Sequence, residues 1–263
     1  MPVVVLSNLT EAGSDAAIEA LSLGAADCIV KALGAFREGP FGLADRLVAA
    51  APIRQYFVSP LGRARVPPHP FQWNGKIVLI GASTGGVEAL ERVFSVFPAN
   101  GPPTLVTQHM PQAYLARFAA RLDRSFQPKV KLAQNGMVVE RGHIYLAPGG
   151  GTHLMLDPNT GATLHLRPRD DQSGNCPAVE KMFASARPIA ARVVAVLLTG
   201  MGRDGAQAMG GLRRAGAECI VQDEGSSAVF GMPAAAIAAG AAERGLPLSE
   251  IGDKILTLTG YGK

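Results

Sequence analysis

Short runs of apolar, β-branched residues alternate with longer amphipathic stretches through most of this 263-residue chain. Runs near 76–81, 103–109, 129–133, 143–147, 193–198 and 218–222 have the length and composition of buried strands. Helical spacing of apolar positions follows near 86–97, 113–125, 177–186, 206–215 and 231–241. This alternation predicts an α/β fold: a doubly wound, mainly parallel sheet with helices on both faces. His153-Leu-Met-Leu-Asp and Thr163-Leu-His-Leu-Arg flank a Pro-Asn-Thr-Gly turn and predict an antiparallel hairpin. Gly149-Gly150-Gly151 just ahead of it predicts a loop, with a role in shaping a neighbouring groove.

The first fifty residues carry the same pattern on a smaller scale. A strand within Met1–Thr10 leads to a helix over Asp15–Leu23, a second strand over Ala25–Lys31 and a final helix over Gly42–Ala50. Residues 52–74 interrupt the alternation with five prolines, three arginines (Arg54, Arg63 and Arg65) and no acidic residue, the composition of an extended, solvated connector. The expected division is therefore a small segment over 1–51, a linker over 52–74 and one full domain over 75–263. A unit of about fifty residues buries little core by itself. It is expected to be poorly ordered, or to pack on the larger domain or on a second copy.

Composition narrows the function classes. With 48% hydrophobic and 17% charged residues the chain can bury a substantial core. Its net charge of +4 is mildly basic, which suits an acidic protein surface, but it lacks the clustered Lys/Arg stripe of a nucleic-acid binder. Aromatic residues are only 6%, too few for a base-stacking platform, so no nucleic-acid partner is expected. Cys28, Cys176 and Cys219 are odd in number and far apart, which fits reduced thiols better than a disulfide framework. No signal peptide and no apolar span of about twenty residues appears, and Arg192 interrupts the longest β-rich candidate. A cytoplasmic protein without direct membrane insertion is the expectation.

The chemistry concentrates at strand ends. Lys76-Ile-Val-Leu-Ile-Gly-Ala-Ser-Thr-Gly-Gly86 is a strand that ends in Gly-x-Ser-x-Gly and passes into a helix. Such a turn pushes the Ser83 hydroxyl out at the strand's carboxyl end, with following backbone N–H groups placed to hold an oxyanion. Strand, glycine turn and helix also bind phosphates, so three details matter. No Lys follows the glycines as in a P-loop. Ser83 stands where a dinucleotide fingerprint needs its second glycine. The next strand ends in Gln108-His109, without the acidic residue that would hold a ribose.

His109 and Ser83 fall at the carboxyl ends of neighbouring strands, where doubly wound sheets bind ligands. A third polar group lies in Leu197-Leu-Thr-Gly-Met-Gly-Arg-Asp-Gly205, after another apolar strand. Asp204 there reads either as a helix N-cap or as the carboxylate that orients His109 and stabilises its imidazolium. The chain order Ser, His, Asp differs from the Ser, Asp, His order of α/β-hydrolases. As general base His109 must be neutral, so turnover is expected to fall as pH drops through the imidazole range. His143, His153 and His165 have no ligand-like spacing and read as strand or loop residues; no metal and no cofactor is expected.

IGASTGG at 80–86, QHMP at 108–111, LAPGG at 146–150, LTGMGRDG at 198–205, QDE at 222–224 and FGMP at 230–233 together resemble the catalytic domain of the bacterial chemotaxis protein-glutamate methylesterases (CheB type). The similarity runs from about Lys76 to the end. It implies a catalytic triad of Ser83, His109 and Asp204, with Thr84 and Met201 at the oxyanion and substrate site. It implies hydrolysis of γ-glutamyl methyl esters on the cytoplasmic helices of chemoreceptors, releasing methanol, and deamidation of receptor glutamine. Both reactions attack a side-chain acyl carbon and expel a small group.

Residues 1–51 are similar to the last part of a response-regulator receiver domain, with Ser7 at the position of the switch hydroxyl and Lys31 at that of the phosphate-contacting lysine. Ala32 stands where that family has proline. The acidic residues and the phosphate-accepting aspartate of receivers belong to earlier strands, so phosphorylation of this chain is not expected. A chemotaxis histidine kinase would be a partner of a full receiver. Because a partial receiver covers an active site incompletely, basal activity is expected to be high. Two alternatives are a serine esterase for small esters and a non-enzymatic adaptor; turnover of free nitrophenyl esters separates the first, and the presence of all three triad residues weighs against the second.

Overall fold

Strand β3 (Ile77–Ala82) is buried at every position, and its side chains alternate between two separate cores. Val78, Ile80 and Ala82 face one; Ile77 and Leu79 face the other. A strand buried on both faces is apolar throughout, which is why this run reads as continuous hydrophobic sequence. The computed structural model describes residues 2–7, 11–30, 43–51, 71–170 and 174–261.

The main sheet has six strands. After β3 come β4 (Thr104–Gln108), β5 (Lys129–Leu132), β6 (His143–Leu146), β9 (Val193–Leu197) and β10 (Glu218–Val221), in the spatial order β10-β9-β3-β4-β6-β5. Every pairing in it is parallel, so the sheet is wholly rather than mainly parallel. The chain starts at β3, builds outward through β4 on one side, then crosses back to add β9 on the other. That reversal puts the topological switch point at the carboxyl end of β3, between β4 and β9.

Helices cover both faces. On the first lie α3 (Gly86–Phe94), α4 (Gln112–Ser125) and α8 (Leu248–Thr259), contributing Leu90, Phe94, Leu115, Phe118, Ile251 and Ile255 to one core. On the second lie α5 (Val179–Ser185), α6 (Ala206–Arg214) and α7 (Gly231–Ala238), with a 3-10 segment over Arg187–Arg192. The antiparallel hairpin of β7 (Thr152–Leu156) and β8 (Leu164–Pro168) packs on this second face through Leu154, Leu156 and Leu164. Helix α8 was not anticipated by the periodicity reading. Its Leu248, Ile251 and Ile255 have helical spacing, but Gly252 and the threonines dilute the signal. Gly252 lies against Val93 and Val96, so α8 approaches α3 where a larger residue would not fit.

The N-terminal residues form a small parallel βαβ unit: β1 (Val4–Ser7), α1 (Glu11–Ser22) and β2 (Asp27–Val30), followed by α2 (Leu43–Ala50). Of the outcomes expected for so short a segment, packing on the larger unit is the one observed. Ala17, Ile18 and Leu21 of α1 join the core beneath α3 and α4. Ser22 Oγ donates to buried Glu91 Oε1 at 2.9 Å, and Arg121 Nε donates to the same oxygen at 2.8 Å. Ser7 is buried at the end of β1. Lys31, Ala32, Arg54, Arg63 and Arg65 lie outside the described residues. Residues 71–74, the end of the expected connector, bond to α8: the Asn74 N–H donates to Thr259 O, and its side-chain amide donates to Leu258 O and Gly260 O. Those carbonyls have no partner within the helix, so Asn74 satisfies them from outside.

Candidate active site

Ser83 follows β3, His109 follows β4 and Asp204 lies in the loop after β9, so three adjacent strand ends deliver the three groups to one crevice. The register fixes the first two. Ala82 pairs with Gln108, and the His109 N–H donates to Ala82 O at 3.0 Å. On the other side the Ser83 N–H donates to Thr199 O at 3.0 Å. Ser83 is thus tied to both neighbouring strand ends by its own backbone and that of the residue before it.

The turn after Ser83 demands glycine. Gly85 has φ +79°, and a Cβ there would lie 2.4 Å from the Ala228 methyl. Opposite Ser83, a Cβ on Gly200 would come within 2.7 Å of Ser83 Cβ, which explains a glycine ahead of Met201. Gln108 supplies a further tie: its Nε2 donates to Ser83 O at 2.9 Å and to His109 O at 3.2 Å. Thr199 Oγ1 donates to Thr84 O at 2.9 Å, and the Thr199 N–H donates to Gln222 Oε1 at 2.8 Å. Gln108, Thr199 and Gln222 were not singled out from the sequence. Gln108 and Gln222 nonetheless stand inside the motifs QHMP and QDE, and both are almost wholly buried.

His109 Nε2 and Asp204 Oδ2 are 2.7 Å apart, both side chains being largely buried. The same carboxylate accepts the Val179 N–H on Oδ2 at 2.8 Å and the Glu180 N–H on Oδ1 at 2.9 Å. Burial works to raise the Asp204 carboxyl, but the His109 bond and charge and the two backbone N–H groups outweigh it, and the net displacement is downward. Asp204 is therefore a carboxylate at neutral pH, with every bond directed at its charged form. It is not the N-cap of α6, which has Gly205 in that place and no side-chain cap. It caps α5 instead. The Glu180 carboxyl, in turn, is raised by burial first and by the neighbouring Asp204 charge, against the lowering pull of the backbone N–H groups at the start of α6.

Thr84 and Met201, the remaining predicted positions, border the same crevice. Thr84 directly follows Ser83, and Met201 follows Gly200. Among the described residues neither backbone N–H donates to a protein acceptor. His143 opens β6, where Nδ1 meets Arg141 O at 3.0 Å, and His165 of β8 contacts Asp157. Both serve strand or turn structure, as their spacing suggested. His153 is in β7, with a different environment described below. Among the described residues no helix is long and apolar enough to cross a membrane.

Comparison with known proteins points to a single family. The family model described as CheB methylesterase matches residues 78–255. A protein-glutamate methylesterase/protein-glutamine glutaminase of Rhizobium etli is 44% identical over 267 residues, covering 100% of this chain and 77% of that protein. One from Agrobacterium fabrum is 45% identical, with 98% and 76% covered. The crystal structure of the Thermotoga maritima CheB methylesterase catalytic domain superposes with a TM-score of 0.66 at 37% identity, covering 70% of this chain and 99% of that one. With a family match over more than half its length and relatives of such identity along nearly all of it, the chain belongs to the CheB methylesterase family.

Proposed function

We propose that Ser83, His109 and Asp204 form the catalytic triad of a protein-glutamate methylesterase and protein-glutamine glutaminase acting in chemotaxis. The hydrolase activity follows from family membership. The observation that carries the triad is the 2.7 Å His109–Asp204 contact at the strand end beside Ser83. Because Asp204 engages Nε2, the nitrogen left for the serine is Nδ1. His109 Nδ1 accepts the Ser83 proton as Oγ attacks the γ-glutamyl carbonyl, and Asp204 stabilises the imidazolium. The N–H groups of Thr84 and Met201 hold the tetrahedral oxyanion; such donors are each worth roughly 3–4 kcal/mol in comparable sites. His109 then returns the proton to methoxide, which leaves as methanol, or to the amide nitrogen, which leaves as ammonia. Water activated by His109 hydrolyses the glutamyl-enzyme and regenerates Ser83 with a free glutamate carboxyl on the substrate.

The substrate in this reading is the bundle of cytoplasmic helices of a methylated chemoreceptor, which sets the enzyme's place in the cytoplasm. Residues 1–51 are read as a partial receiver-like segment, 52–74 as a connector and 75–263 as the catalytic domain. Burial of Ile18 and Leu21 against α3 and α4 supports a segment docked on the enzyme. Methanol release from a methylated receptor fragment tests the reading: release by this chain and none by Ser83→Ala is the expected result. Release by the variant would overturn the nucleophile. Rapid turnover of free nitrophenyl esters with no methanol from receptor would replace the receptor by a small ester.

A further inference from the structure

His153 is the second residue of β7 and is 2% exposed. Its Nδ1 lies 3.1 Å from the Ala178 nitrogen and accepts that N–H, which puts the ring proton on Nε2. Nε2 is buried and has no partner among the described residues. The ring is held neutral by burial first and by Lys181 and Arg169, against the opposing pull of Asp170 and Asp204. Leaving one ring nitrogen unpaired in the interior costs stability that an apolar residue would not. What the imidazole contributes in return is an acceptor for one backbone N–H in an otherwise apolar layer.

That N–H is not an arbitrary one. Ala178 immediately precedes Val179 and Glu180, whose N–H groups hold the two oxygens of Asp204. Three consecutive backbone donors are thus engaged in order, the first by His153 and the next two by Asp204. The Glu180 carboxyl lies within the field of Asp204, which together with burial raises it. We propose that His153 is a positioning residue of the reaction: Nδ1 fixes the Ala178–Glu180 backbone, which keeps both donors aimed at Asp204 and Asp204 seated on His109 Nε2. The inference rests on the triad assignment above. It extends that triad by one shell, through main chain rather than through a further side chain, and gives a histidine outside the catalytic motifs a part in turnover.

The experiment is steady-state methanol release from a methylated receptor fragment by the full chain, with His153→Leu, His153→Asn, Asp204→Asn and the His153→Leu/Asp204→Asn double variant. A shift of order an ångström in a catalytic group costs up to about 100-fold, so His153→Leu should lower kcat by about 10- to 100-fold at unchanged KM. Asparagine carries its side-chain oxygen near the position of Nδ1, so His153→Asn should recover most of the loss. In the Asp204→Asn background the leucine substitution should cost little more, because its effect passes through Asp204. Wild-type kcat in His153→Leu, or the same loss whether or not Asp204 is present, overturns the proposal. A raised KM in both His153→Leu and His153→Asn also overturns it, since that result would make Nε2 a substrate donor. If His153→Leu does not fold, His153→Asn against His153→Gln decides. Glutamine sets its amide at the Nε2 position, so equal activity of the two, or the reverse order, rejects the role. Ser83→Ala, run alongside, distinguishes a failure of the triad itself: release that survives in it removes the premise rather than the link.

Discussion

The two halves of the proposed catalytic arrangement are built by different means. Ser83 and His109 leave neighbouring parallel strands, and their relative position follows from β-ladder register and from Gln108 bridging their carbonyls. Asp204 belongs to a loop after β9 and is held by N–H groups from α5, 24 and 25 residues earlier in the chain. A sheet ladder is cooperative and hard to shift locally, whereas two hydrogen bonds and one buried histidine behind them form a support that single substitutions reach. The nucleophile and base should therefore respond to substitution as all-or-none groups, and the Asp204 side in graded steps.

Ser83→Ala and His109→Ala test the first half and carry the largest effects: a fall in kcat on the order of 10⁵- to 10⁶-fold, with receptor binding retained, in the methanol assay. Asp204→Asn should cost about 10⁴-fold by presenting the wrong donor to His109. It should also change acid stability, with the sign set by the depressed Asp204 carboxyl. Its contribution is present above the ordinary carboxylate range and lost as pH falls through the lower folded value. Thermal melting from pH 7 to 2 should thus be flatter in the variant than in the wild type. Gln108→Leu keeps the volume and removes both bridging bonds, with an expected loss of about 10- to 100-fold in kcat; a change below twofold would mean that register alone holds Ser83 and His109.

Deleting residues 1–51 should leave kcat within about twofold, because α1 docks on α3 and α4 rather than on the crevice residues, while exposing the surface that Ile18 and Leu21 cover. Each buried aliphatic side chain is worth roughly 1.5–3 kcal/mol, so the deletion should lower the melting temperature clearly. A sharp rise in kcat would instead show that the segment restrains the enzyme. The smallest effect concerns Asp157, whose carboxyl is pulled down to about 2 by Thr160, with smaller help from His165 and Asn159. Asp157→Asn should lower melting slightly at and above about pH 4, with the difference fading as pH falls to about 2, where the wild-type group loses its charge.

Much of this arrangement is legible in sequence. Continuous apolar runs placed β3, β4 and β9 correctly because parallel strands buried on both faces have no polar alternation to confuse them. Gly-x-Ser-x-Gly marked Ser83 because the turn tolerates few other residues. The reading fell short where a signal depends on distant partners. Helix α8 was passed over because Gly252, a poor helix former, is required by its contact with α3. Asp204 as an N-cap of its own helix was a reasonable alternative, and it does cap a helix, but α5 rather than α6. His153 resembled any strand histidine, since nothing local reveals that its Nδ1 meets the residue before α5.

The sequence by itself determined the fold class, the strand-end location of Ser83, His109 and Asp204, and the resemblance that family comparison bears out. These depend on local periodicity, turn geometry and motif spacing, which a linear chain records directly. The tertiary structure alone decided which nitrogen of His109 faces Asp204, which helix Asp204 caps, that Glu180 and His153 stand behind it, and that the N-terminal βαβ unit packs on α3 and α4. Those are matters of which elements meet on each face of the sheet and at its strand ends, and hydrogen bonds between residues tens of positions apart leave no periodic trace in the chain.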